Sequence, residues 1–345
     1  MASVLLSVTV HTSHQIPDTD LIVACNKGNL QTVYDILNDS KDGINKKDSN
    51  GLTPVMWAAR KGHIDVVDLL VGNEADVTLV DGGGNNILHW ACYGGHMAMV
   101  KHVVSKIKVD INRKGQNGRT PLMFSARQGK LAMFHFLVSA TGQLPSEVDR
   151  DGNSILHLAC KGGSVTIVDY ILSHCVDIDN RGESGRTPFM VSAYNGHKEL
   201  LDLLESRGAD VTQTDEDDNN ALHVACLGGH VDIVSHVTGL GKVDINSRGQ
   251  FRRTPLMMAA RNGDKEIFHL LVNEKKADAT IVDDDRNTIL HLASKGGNLH
   301  IVEYVVERMN VHINARNKRN ETATMRATTG SDVRIFLVSR GGLIQ

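Results

Sequence analysis

Aromatic residues are scarce in this chain, and that scarcity narrows its class before any motif is considered. Phe, Trp and Tyr make up 4% of the 345 residues, and the formal net charge is only −3. A chain with few aromatics and no basic excess is a poor candidate for a nucleic-acid binder, so we expect no nucleic-acid partner. No apolar run approaches the length of a membrane-spanning helix, and we expect no membrane insertion.

The first residues lack the features of a secretion signal. Met1 to Val10 is mildly apolar but contains no basic residue and no long apolar core. We therefore expect residues 1–17 to form an N-terminal arm, either flexible or loosely docked. His11 and His14 in this arm offer at most a weak metal site, and we expect no metal or other cofactor in the protein.

One phrase returns along the chain at a fixed interval. It reads Gly-Arg-Thr-Pro-Leu-Met at 118–123. Its Thr-Pro pairs begin at Thr53, Thr120, Thr187 and Thr254, each 67 residues after the one before. Midway between them a second phrase, Leu-His-x-Ala, occurs at 88–91, 156–159, 222–225 and 290–293. The underlying period is therefore about 33 residues, which is typical of a stacked repeat array.

Each repeat predicts a pair of short helices. The hydroxyl of Thr120 can accept a hydrogen bond from the first turn, and Pro121 suits the first helical position, where its missing N–H costs nothing. Gly129 ends this helix, and apolar residues at helical spacing, as in 167–172, predict a second one. Neither helix pair can close a core alone, so neighbouring repeats must stack.

These phrases resemble the ankyrin repeat family, whose signature of Thr-Pro-Leu-His, Gly-His and Gly-Ala-Asp-Val is matched in part by almost every unit across residues 18–340. The resemblance implies an all-α repeat solenoid of about ten helix-turn-helix units, joined by β-turn or hairpin fingers. We expect an N-terminal capping repeat at 18–48, eight core repeats at 49–317 and a C-terminal capping repeat at 318–345. The Thr-Pro repeats carry methionine where the family has histidine, and the histidine repeats lack proline, which suggests duplication of a two-repeat block.

Four of the five cysteines occupy one position of alternate repeats. They are Cys25, Cys92, Cys160 and Cys226. Helices stack about 8–10 Å apart, whereas a disulfide needs Cα atoms within about 7 Å. We therefore predict that these cysteines are small buried core residues, and Cys175 has no equivalent partner. Unpaired cysteines indicate a reducing compartment, and we expect a cytoplasmic protein.

The seventeen histidines do not predict a metal site. One motif position is shared by His89, His157, His223 and His291. A ladder of side chains spaced two repeats apart cannot converge on one ion. The resemblance implies instead that each imidazole hydrogen-bonds the backbone of the neighbouring turn. A second structural position, after the glycine that ends each helix, holds His63, His96, His197 and His230.

Other local patterns offer no catalytic chemistry. Gly82-Gly83-Gly84 lacks the Lys-Ser or Lys-Thr of a phosphate-binding loop, and we interpret it as a flexible finger tip. The acidic runs at 215–218 and 283–285 lack the spacing of a calcium loop, and we interpret them as solvated finger tips. No nucleophile, base and orienting group occur in a consistent context, so we assign no catalytic residue and expect no enzyme.

Protein binding remains as the leading function. The resemblance implies a non-catalytic scaffold or adaptor, expected to be a monomer, that holds a protein or peptide on its concave face and finger tips. The alternative is a regulatory or targeting segment of a larger enzyme, channel or receptor, which the flanking sequence of the gene would reveal.

Basic residues dominate the positions that face a partner in this family. They are Arg60, Lys61, Arg119, Arg127, Lys161, Arg186, Arg253, Arg261 and Lys295, which we call the basic palm. The finger tips are acidic, at Asp151, Glu183, Glu216, Asp217, Asp284 and Asp285. We therefore predict a partner with acidic segments. The alternative is that Arg and Asp of adjacent repeats neutralise each other.

The aromatic residues favour a binding hot spot in repeats two to six. Trp57, Trp90 and Phe124 share one position of three consecutive repeats, and Tyr93 and Tyr194 lie at nearby partner-facing positions. The shared position lies about 100° around the helix from a buried motif residue, so its side chain should be half packed and half open. We predict that these aromatics and Arg127 anchor the partner. The alternative is that they only pack neighbouring helices together.

The resemblance also implies one modification. Ankyrin arrays are substrates of an oxygen-dependent asparaginyl hydroxylase that acts on the Asn of connectors such as Asp-Ile-Asn. Asn112, Asn246 and Asn314 occupy this position, although the upstream leucine common in such substrates is absent.

Overall fold

The computed structural model describes residues 21–142, 144, 146–174 and 176–345. Within these residues the backbone forms twenty α-helices in ten consecutive pairs and no β-strand. The only extended pairing in the same residues is an isolated bridge between Thr214 and Asn220. The arm predicted at 1–17, with His11 and His14, lies outside the described residues, and so does Cys175.

The first helix of each repeat is short. These helices are α1 Leu21–Lys27, α3 Pro54–Lys61, α5 Ile87–Gly94, α7 Pro121–Arg127, α9 Ile155–Gly162, α11 Pro188–Asn195, α13 Ala221–Gly228, α15 Pro255–Asn262, α17 Ile289–Gly296 and α19 Ala323–Arg326. The second helices are α2 Leu30–Asp39, α4 Ile64–Gly72, α6 Met97–Lys106, α8 Leu131–Thr141, α10 Val165–Leu172, α12 Lys198–Ser206, α14 Val231–Gly239, α16 Lys265–His269, α18 Leu299–Arg308 and α20 Asp332–Ser339. The all-α architecture of repeated helix pairs is confirmed.

The two repeat types cap their first helix differently. In the Thr-Pro repeats the threonine hydroxyl accepts a hydrogen bond from the backbone N–H of the residue three positions later. The distance is 3.3 Å in each case for Thr120, Thr187 and Thr254. Thr53 is the exception, because its buried hydroxyl has no hydrogen-bond partner among the described residues. In the other repeats Asn86, Ser154, Asn220 and Thr288 form a capping box with the histidine three residues on. The cap positions predicted from the sequence are confirmed.

The chain divides into two compact units. Among the described residues, the first unit is 21–125 with 132–142, and the second is 126–131 with 144, 146–174 and 176–345. In the first unit α1, α3 and α5 pack side by side in order. In the second unit α9, α11, α13, α15, α17 and α19 do the same. The capping-repeat boundaries at 48/49 and 317/318 remain predictions.

Glycine lets neighbouring first helices approach closely within each unit. A Cβ atom added to Gly94 in α5 would lie 2.0 Å from the carbonyl oxygen of Arg60 in α3. In the second unit a Cβ atom on Gly228 would lie 2.3 Å from the carbonyl oxygen of Tyr194. Because a side chain at either position would strike backbone, the helix spacing itself depends on these glycines.

The cysteine position of alternate repeats lies in the core. Cys25, Cys92, Cys160 and Cys226 are fully buried and unbonded to one another, as predicted. Burial raises the pKa of the Cys160 thiol to about 12, and it raises the pKa of Cys92 and Cys226 as well. These thiols are therefore protonated packing groups rather than nucleophiles.

In several fingers the first residue is a buried aspartate that accepts hydrogen bonds from the backbone of the turn. The Oδ1 atom of Asp283 accepts from the backbone N–H groups of Asp285 at 3.0 Å and Asn287 at 2.8 Å. Asp215 is buried in the same way. Treating the runs 215–218 and 283–285 as solvated tips was therefore wrong for their first residues, since the carboxylate is consumed in shaping the turn. The following residues, Glu216, Asp217, Asp218 and Asp284, are exposed.

Candidate functional site

The ladder histidines bind each repeat to the finger of the next one. The Nε2 atom of His157 lies 2.9 Å from the carbonyl oxygen of Arg186, and that of His223 lies 3.0 Å from the carbonyl oxygen of Arg253. A carbonyl only accepts, so Nε2 carries the proton and donates. Burial lowers the pKa of all four ladder histidines below its ordinary value. They are neutral structural groups, as the resemblance implied.

The hydrogen bond from each ladder histidine to the next finger leaves no room for a side chain at one position of that finger, and His89 and His223 face glycine there. A Cβ atom on Gly115 would lie 2.2 Å from Oδ1 of Asn85 and 2.7 Å from Nε2 of His89. Gly249 is crowded in the same way by Asn219 and His223. The asparagine at this position accepts from the finger backbone, as between Gln116 N–H and Asn85 Oδ1 at 2.9 Å. The asparagine and the histidine of one repeat thus hold the finger of the next repeat in place.

In the first unit three aromatic rings surround one guanidinium group. The guanidinium carbon of Arg60 lies 4.9 Å from the ring centre of Trp57, 5.2 Å from that of Trp90 and 4.9 Å from that of Tyr93. All three distances are within the range of cation–π attraction. We call these four residues, together with Phe124, the aromatic cluster.

Hydrogen bonds hold the two indole rings of the cluster in place. Nε1 of Trp57 donates to Asp48 at 2.9 Å, and Nε1 of Trp90 donates to Asp81 at 3.1 Å. Both acceptors are the acids that begin the preceding fingers. The polar edge of each ring is therefore satisfied inside the protein, and what remains open is an apolar face.

The exposure of the cluster agrees with the half-packed position predicted for it. Trp57, Trp90 and Phe124 are half-buried, and Tyr93 is 48% exposed. Later repeats fill the position shared by the tryptophans with smaller apolar side chains, and Leu158, Val224, Met258 and Leu292 are buried there. The open aromatic surface is thus a feature of repeats two to four.

A shallow cleft continues from the cluster towards the next repeat. It has a volume of about 40 Å³ and is lined by Asn85, His89, Trp90, Tyr93, Gln116 and Phe124. The rings of His89 and Phe124 meet edge to face, with centres 5.8 Å apart. Small-molecule sites are typically about 300–1,000 Å³. This cleft can accept one small group of a larger partner, but it cannot enclose a metabolite.

The arginines that precede the helix caps do not form an open basic surface. Arg119 and Arg253 are each 7% exposed. Nε of Arg253 pairs with Oδ2 of Asp283 at 3.1 Å, and Nε of Arg186 lies 3.5 Å from Oδ2 of buried Asp215. At Arg186 and Arg253 the geometry agrees with the alternative of neutralisation between adjacent repeats, and contact of either residue with a partner remains a prediction. Lys61, Arg127, Lys161 and Lys295 are exposed, and Arg261 is half-buried.

Tyr194 forms a smaller aromatic contact in the second unit. Its ring is 42% exposed, and the guanidinium carbon of Arg186 lies 5.2 Å from the ring centre. The structure therefore brings Trp57, Arg60, Trp90, Tyr93 and Phe124 together in one unit, whereas Arg127, Lys161 and Tyr194 belong to the other. Whether any of these residues contacts a partner remains a prediction.

The connector asparagines tie successive repeats together. Oδ1 of Asn246 accepts from the backbone N–H of Asp278 at 2.8 Å, and Oδ1 of Asn314 accepts from that of Leu343 at 2.8 Å. Asn112 is exposed. A modifying enzyme would have to release the first two side chains from these bonds, and their hydroxylation remains a prediction.

Metal-binding and membrane-spanning features are absent from the described part of the chain. No group of three or more His, Cys, Asp or Glu side chains in residues 21–142, 144, 146–174 and 176–345 is placed to hold a metal ion. No helix in those ranges is both long enough and apolar enough to cross a membrane.

Sequence reasoning missed the position of Arg60 inside the cluster. Arg60 follows Trp57 by three residues and therefore lies on the same face of α3. The indole acceptors were also missed, although Asp48 and Asp81 each precede a tryptophan by the same nine residues. Both signals were present, but only the packing of α3 on α5 turns them into one site.

Two family models for ankyrin repeats match this chain. The model described as ankyrin repeats in three copies matches residues 140–215, 208–283 and 256–343. The model described as ankyrin repeats in many copies matches residues 21–71 and 55–102. Together with the stacked helix pairs, these matches show that the chain belongs to the ankyrin repeat family.

Relatives and a solved structure agree with this assignment. The chain is 29% identical over 220 residues to palmitoyltransferase AKR1 of Lachancea kluyveri, covering 62% of this chain and 25% of that protein. It is 30% identical over 194 residues to the human transient receptor potential cation channel subfamily A member 1, covering 54% of this chain and 17% of that protein. It is 29% identical over 226 residues to human palmitoyltransferase ZDHHC13, covering 64% of this chain and 36% of that protein. The chain thus spans only about a third or less of the length of these relatives.

The crystal structure of the human ASB11 ankyrin repeat domain has a similar fold. It matches with a TM-score of 0.56 and 24% identity, over 65% of this chain and 99% of that one. At this identity the likeness concerns the fold alone.

Proposed function

We propose that this chain is a non-catalytic scaffold that binds a protein or peptide, and that the aromatic cluster is the main contact surface of its first unit. The observation that carries the proposal is the gathering of Trp57, Trp90 and Tyr93 around the guanidinium of Arg60. Ankyrin repeats generally mediate protein–protein interaction, which agrees with this role.

The composition of the cluster suits an interface. Trp, Tyr and Arg are the residues most enriched among binding hot spots, since they combine large apolar area with a polar group. Here both indole N–H groups already donate hydrogen bonds within the protein. A partner can therefore cover the rings without leaving a buried donor unsatisfied. Tyr93 is 48% exposed, so a partner can reach its ring.

The cleft beside the cluster suggests what part of the partner enters. Its volume of about 40 Å³ fits a methyl-sized group, and its lining combines rings with the polar side chains of Asn85 and Gln116. The guanidinium of Arg60 adds positive charge among the rings, and the next residue, Lys61, is exposed. The surface therefore favours a segment with a small apolar side chain next to an acidic one.

Tryptophan fluorescence tests this proposal directly, because both tryptophans of the chain belong to the cluster. Peptides would be selected on the whole 345-residue chain from a random display library and titrated into the protein. We expect a saturable change in indole emission, retained in both Trp57→Phe and Trp90→Phe. If selected peptides bind without changing either indole, the contact surface lies elsewhere and the proposal fails.

A second candidate function is a regulatory or targeting segment of a larger protein. The observation that favours it is the short share, 17–36%, that the match covers in the human channel and the human palmitoyltransferase. An antibody raised against this chain would test it on extracts of the source cells. A single band at the size of 345 residues would contradict it, and a much larger band would support it.

Three further properties belong to the proposal. We propose that the protein is a cytoplasmic monomer, in keeping with the four described cysteines, which are buried and form no disulfide. We also propose that Asn112 is modified before Asn246 or Asn314, because it is exposed and the other two are engaged in repeat-to-repeat bonds. Incubation with an ankyrin-directed asparaginyl hydroxylase, with no mass shift on the Asn112 peptide, would end the last idea.

A further inference from the structure

A group of cations lies on three successive first helices of the second unit. Arg261 is in the last turn of α15, Lys295 is in the last turn of α17 and Arg326 ends α19. These helices pack side by side in that order. Neither Arg261 nor Lys295 has an ion-pair partner in the part of the chain that the structure describes.

The carboxylates nearest to this group are already engaged. Asp283 is held by Arg253 at 3.1 Å, and Glu321 is held by Arg326 at 3.1 Å. Burial lowers the pKa of Lys295, and the charges of Arg261, Arg326, Arg253 and Arg319 lower it further. Burial and the charges of Arg253 and Arg326 lower the pKa of Arg261, and only Asp283 acts in the opposite sense. Arg261 and Lys295 are therefore close enough to repel each other, and no acid of the described residues forms an ion pair with either of them.

Arg326 takes a position that other repeats give to an apolar side chain. The equivalent residues in the two preceding repeats are Met258 and Leu292, and both are buried. Nε of Arg326 is buried and has no hydrogen-bond partner among the described residues. A buried unmet donor costs stability, so its retention next to two other cations points to a ligand that accepts hydrogen bonds.

An exposed aromatic residue stacks on Arg253, whose charge acts on Arg261. Phe251 is 54% exposed, and the guanidinium carbon of Arg253 lies 4.8 Å from its ring centre. Phe251 and Arg252 have φ values of 57° and 55°, in the left-handed region, where the equivalent fingers place Asn117-Gly118 and Ser184-Gly185. A bulky side chain is strained in this region, so the finger keeps an open phenyl ring at a cost in stability.

We propose that Arg261, Lys295 and Arg326 form a docking site for an acidic peptide segment, with Phe251 packing against its apolar side chains. The charge is spread over three helices, which stack about 8–10 Å apart. Carboxylates on alternate residues of an extended segment recur about every 7 Å, close to this helix spacing, whereas a phosphate group presents its charge at a single point. The proposal extends the protein-binding function proposed above to a second surface, in the other unit.

The site is tested with fluorescein-labelled peptides of alternating residues on the whole 345-residue chain. The probes are Glu-Gly, Gln-Gly and phosphoserine-Gly nonamers, titrated by fluorescence anisotropy in about 50 and about 300 mM NaCl. We expect the Glu-Gly peptide to bind, the Gln-Gly peptide to bind much more weakly, and affinity to fall in the higher salt. Equal binding of the Glu and Gln peptides, or binding of the phosphoserine peptide alone, would overturn the assignment.

Single substitutions locate the site. Lys295→Gln and Arg261→Gln should each weaken Glu-Gly binding about three- to tenfold. The matched control is Lys265→Gln, at an exposed lysine on the second helix α16, and it should leave affinity unchanged. Lys295→Gln should also unfold at the same temperature as the parent or higher, because it relieves repulsion, so a loss of binding cannot be ascribed to misfolding. Equal loss in the control would refute the site.

One further variant separates this inference from the function proposed for the first unit. Tyr93→Ala should leave Glu-Gly binding intact if the cation site acts by itself. If Lys295→Gln abolishes that binding and Tyr93→Ala does not, the cation site stands whether or not the aromatic cluster binds a partner. If Tyr93→Ala removes Glu-Gly binding and Lys295→Gln does not, the acidic segment binds in the first unit and this inference is wrong.

Discussion

The guanidinium carbon of Arg60 lies 4.9 Å from the ring centre of Tyr93, so side chains from the ends of two consecutive first helices meet on one open surface. This contact is possible because Gly94, the neighbour of Tyr93, lets α5 approach the backbone of α3. A residue chosen for helix packing therefore determines how an arginine and an aromatic ring of different repeats are presented to solvent.

Glycine substitutions of opposite expected sign test this helix packing. Gly94→Ala would place a Cβ atom 2.0 Å from the carbonyl oxygen of Arg60, and we expect it to cost about 1–3 kcal/mol of unfolding free energy. Gly72→Ala, at a position with nothing within 4 Å, should instead gain about 0.5–1 kcal/mol. Urea unfolding followed by circular dichroism measures both. Similar effects of the two variants would contradict the proposed close approach.

The paired arginines of the fingers should differ in their contribution to stability. Arg253→Gln leaves the buried Asp283 carboxylate without its cation, and we expect a loss of about 3 kcal/mol. Arg186→Gln should cost only about 1 kcal/mol, since its side chain is 28% exposed and its pair is longer. The comparison uses the same urea unfolding experiment. A larger loss for Arg186→Gln would show that burial of the pair does not decide its strength.

Stability should fall in mildly acidic solution because of the ladder histidines. Burial lowers the pKa of His89, His157 and His223 in the folded protein. Below about pH 6.5, the ordinary pKa of histidine, the unfolded chain binds more protons than the folded protein. The contribution of these neutral rings to the free energy of unfolding is therefore complete above that pH and is lost as the pH falls towards the folded pKa. On lowering the pH from about 7.5 to about 5.5, each buried ring should reduce the free energy of unfolding by up to about 1.4 kcal/mol.

Two variants separate this effect from general acid sensitivity. His223→Gln removes a buried ladder ring and should reduce the difference in unfolding free energy between the two pH values. His312→Asn removes an exposed histidine and should leave that difference unchanged. An equal pH dependence in the parent and in His223→Gln would rule out the ladder as its source.

Local rules predicted much of the fold because each one depends on residues near in sequence. Thr120 and Pro121 indicated a helix start, the Leu-His-x-Ala phrase indicated the capping histidine, and the spacing of Cys92 and Cys160 indicated buried thiols. Each of these depends on one turn of helix or on the period of the repeat, which the sequence displays directly.

The parts that were wrong or missed depend on contacts between repeats. The sequence predicts Arg253 as a partner-facing cation, whereas the structure buries it against Asp283, which lies thirty residues further on. The left-handed backbone conformation of Phe251 was also missed. It becomes visible only when the finger is aligned with the equivalent fingers, where Asn117 and Ser184 occupy the same position with a positive φ. Such features need the distance between adjacent fingers, which no local pattern supplies.

The central claim is that the aromatic cluster contacts a partner instead of only packing α3 against α5. Tyr93→Ala tests it most directly, with Tyr34→Ala, a similarly exposed tyrosine on α2, as the control. For a display-selected peptide that changes indole emission, affinity and urea unfolding would be measured on both variants. We predict that Tyr93→Ala weakens binding about ten- to hundredfold while costing less than about 1 kcal/mol of stability, and that Tyr34→Ala does neither. Unchanged affinity of Tyr93→Ala, alone or with a marked loss of stability, would contradict the claim.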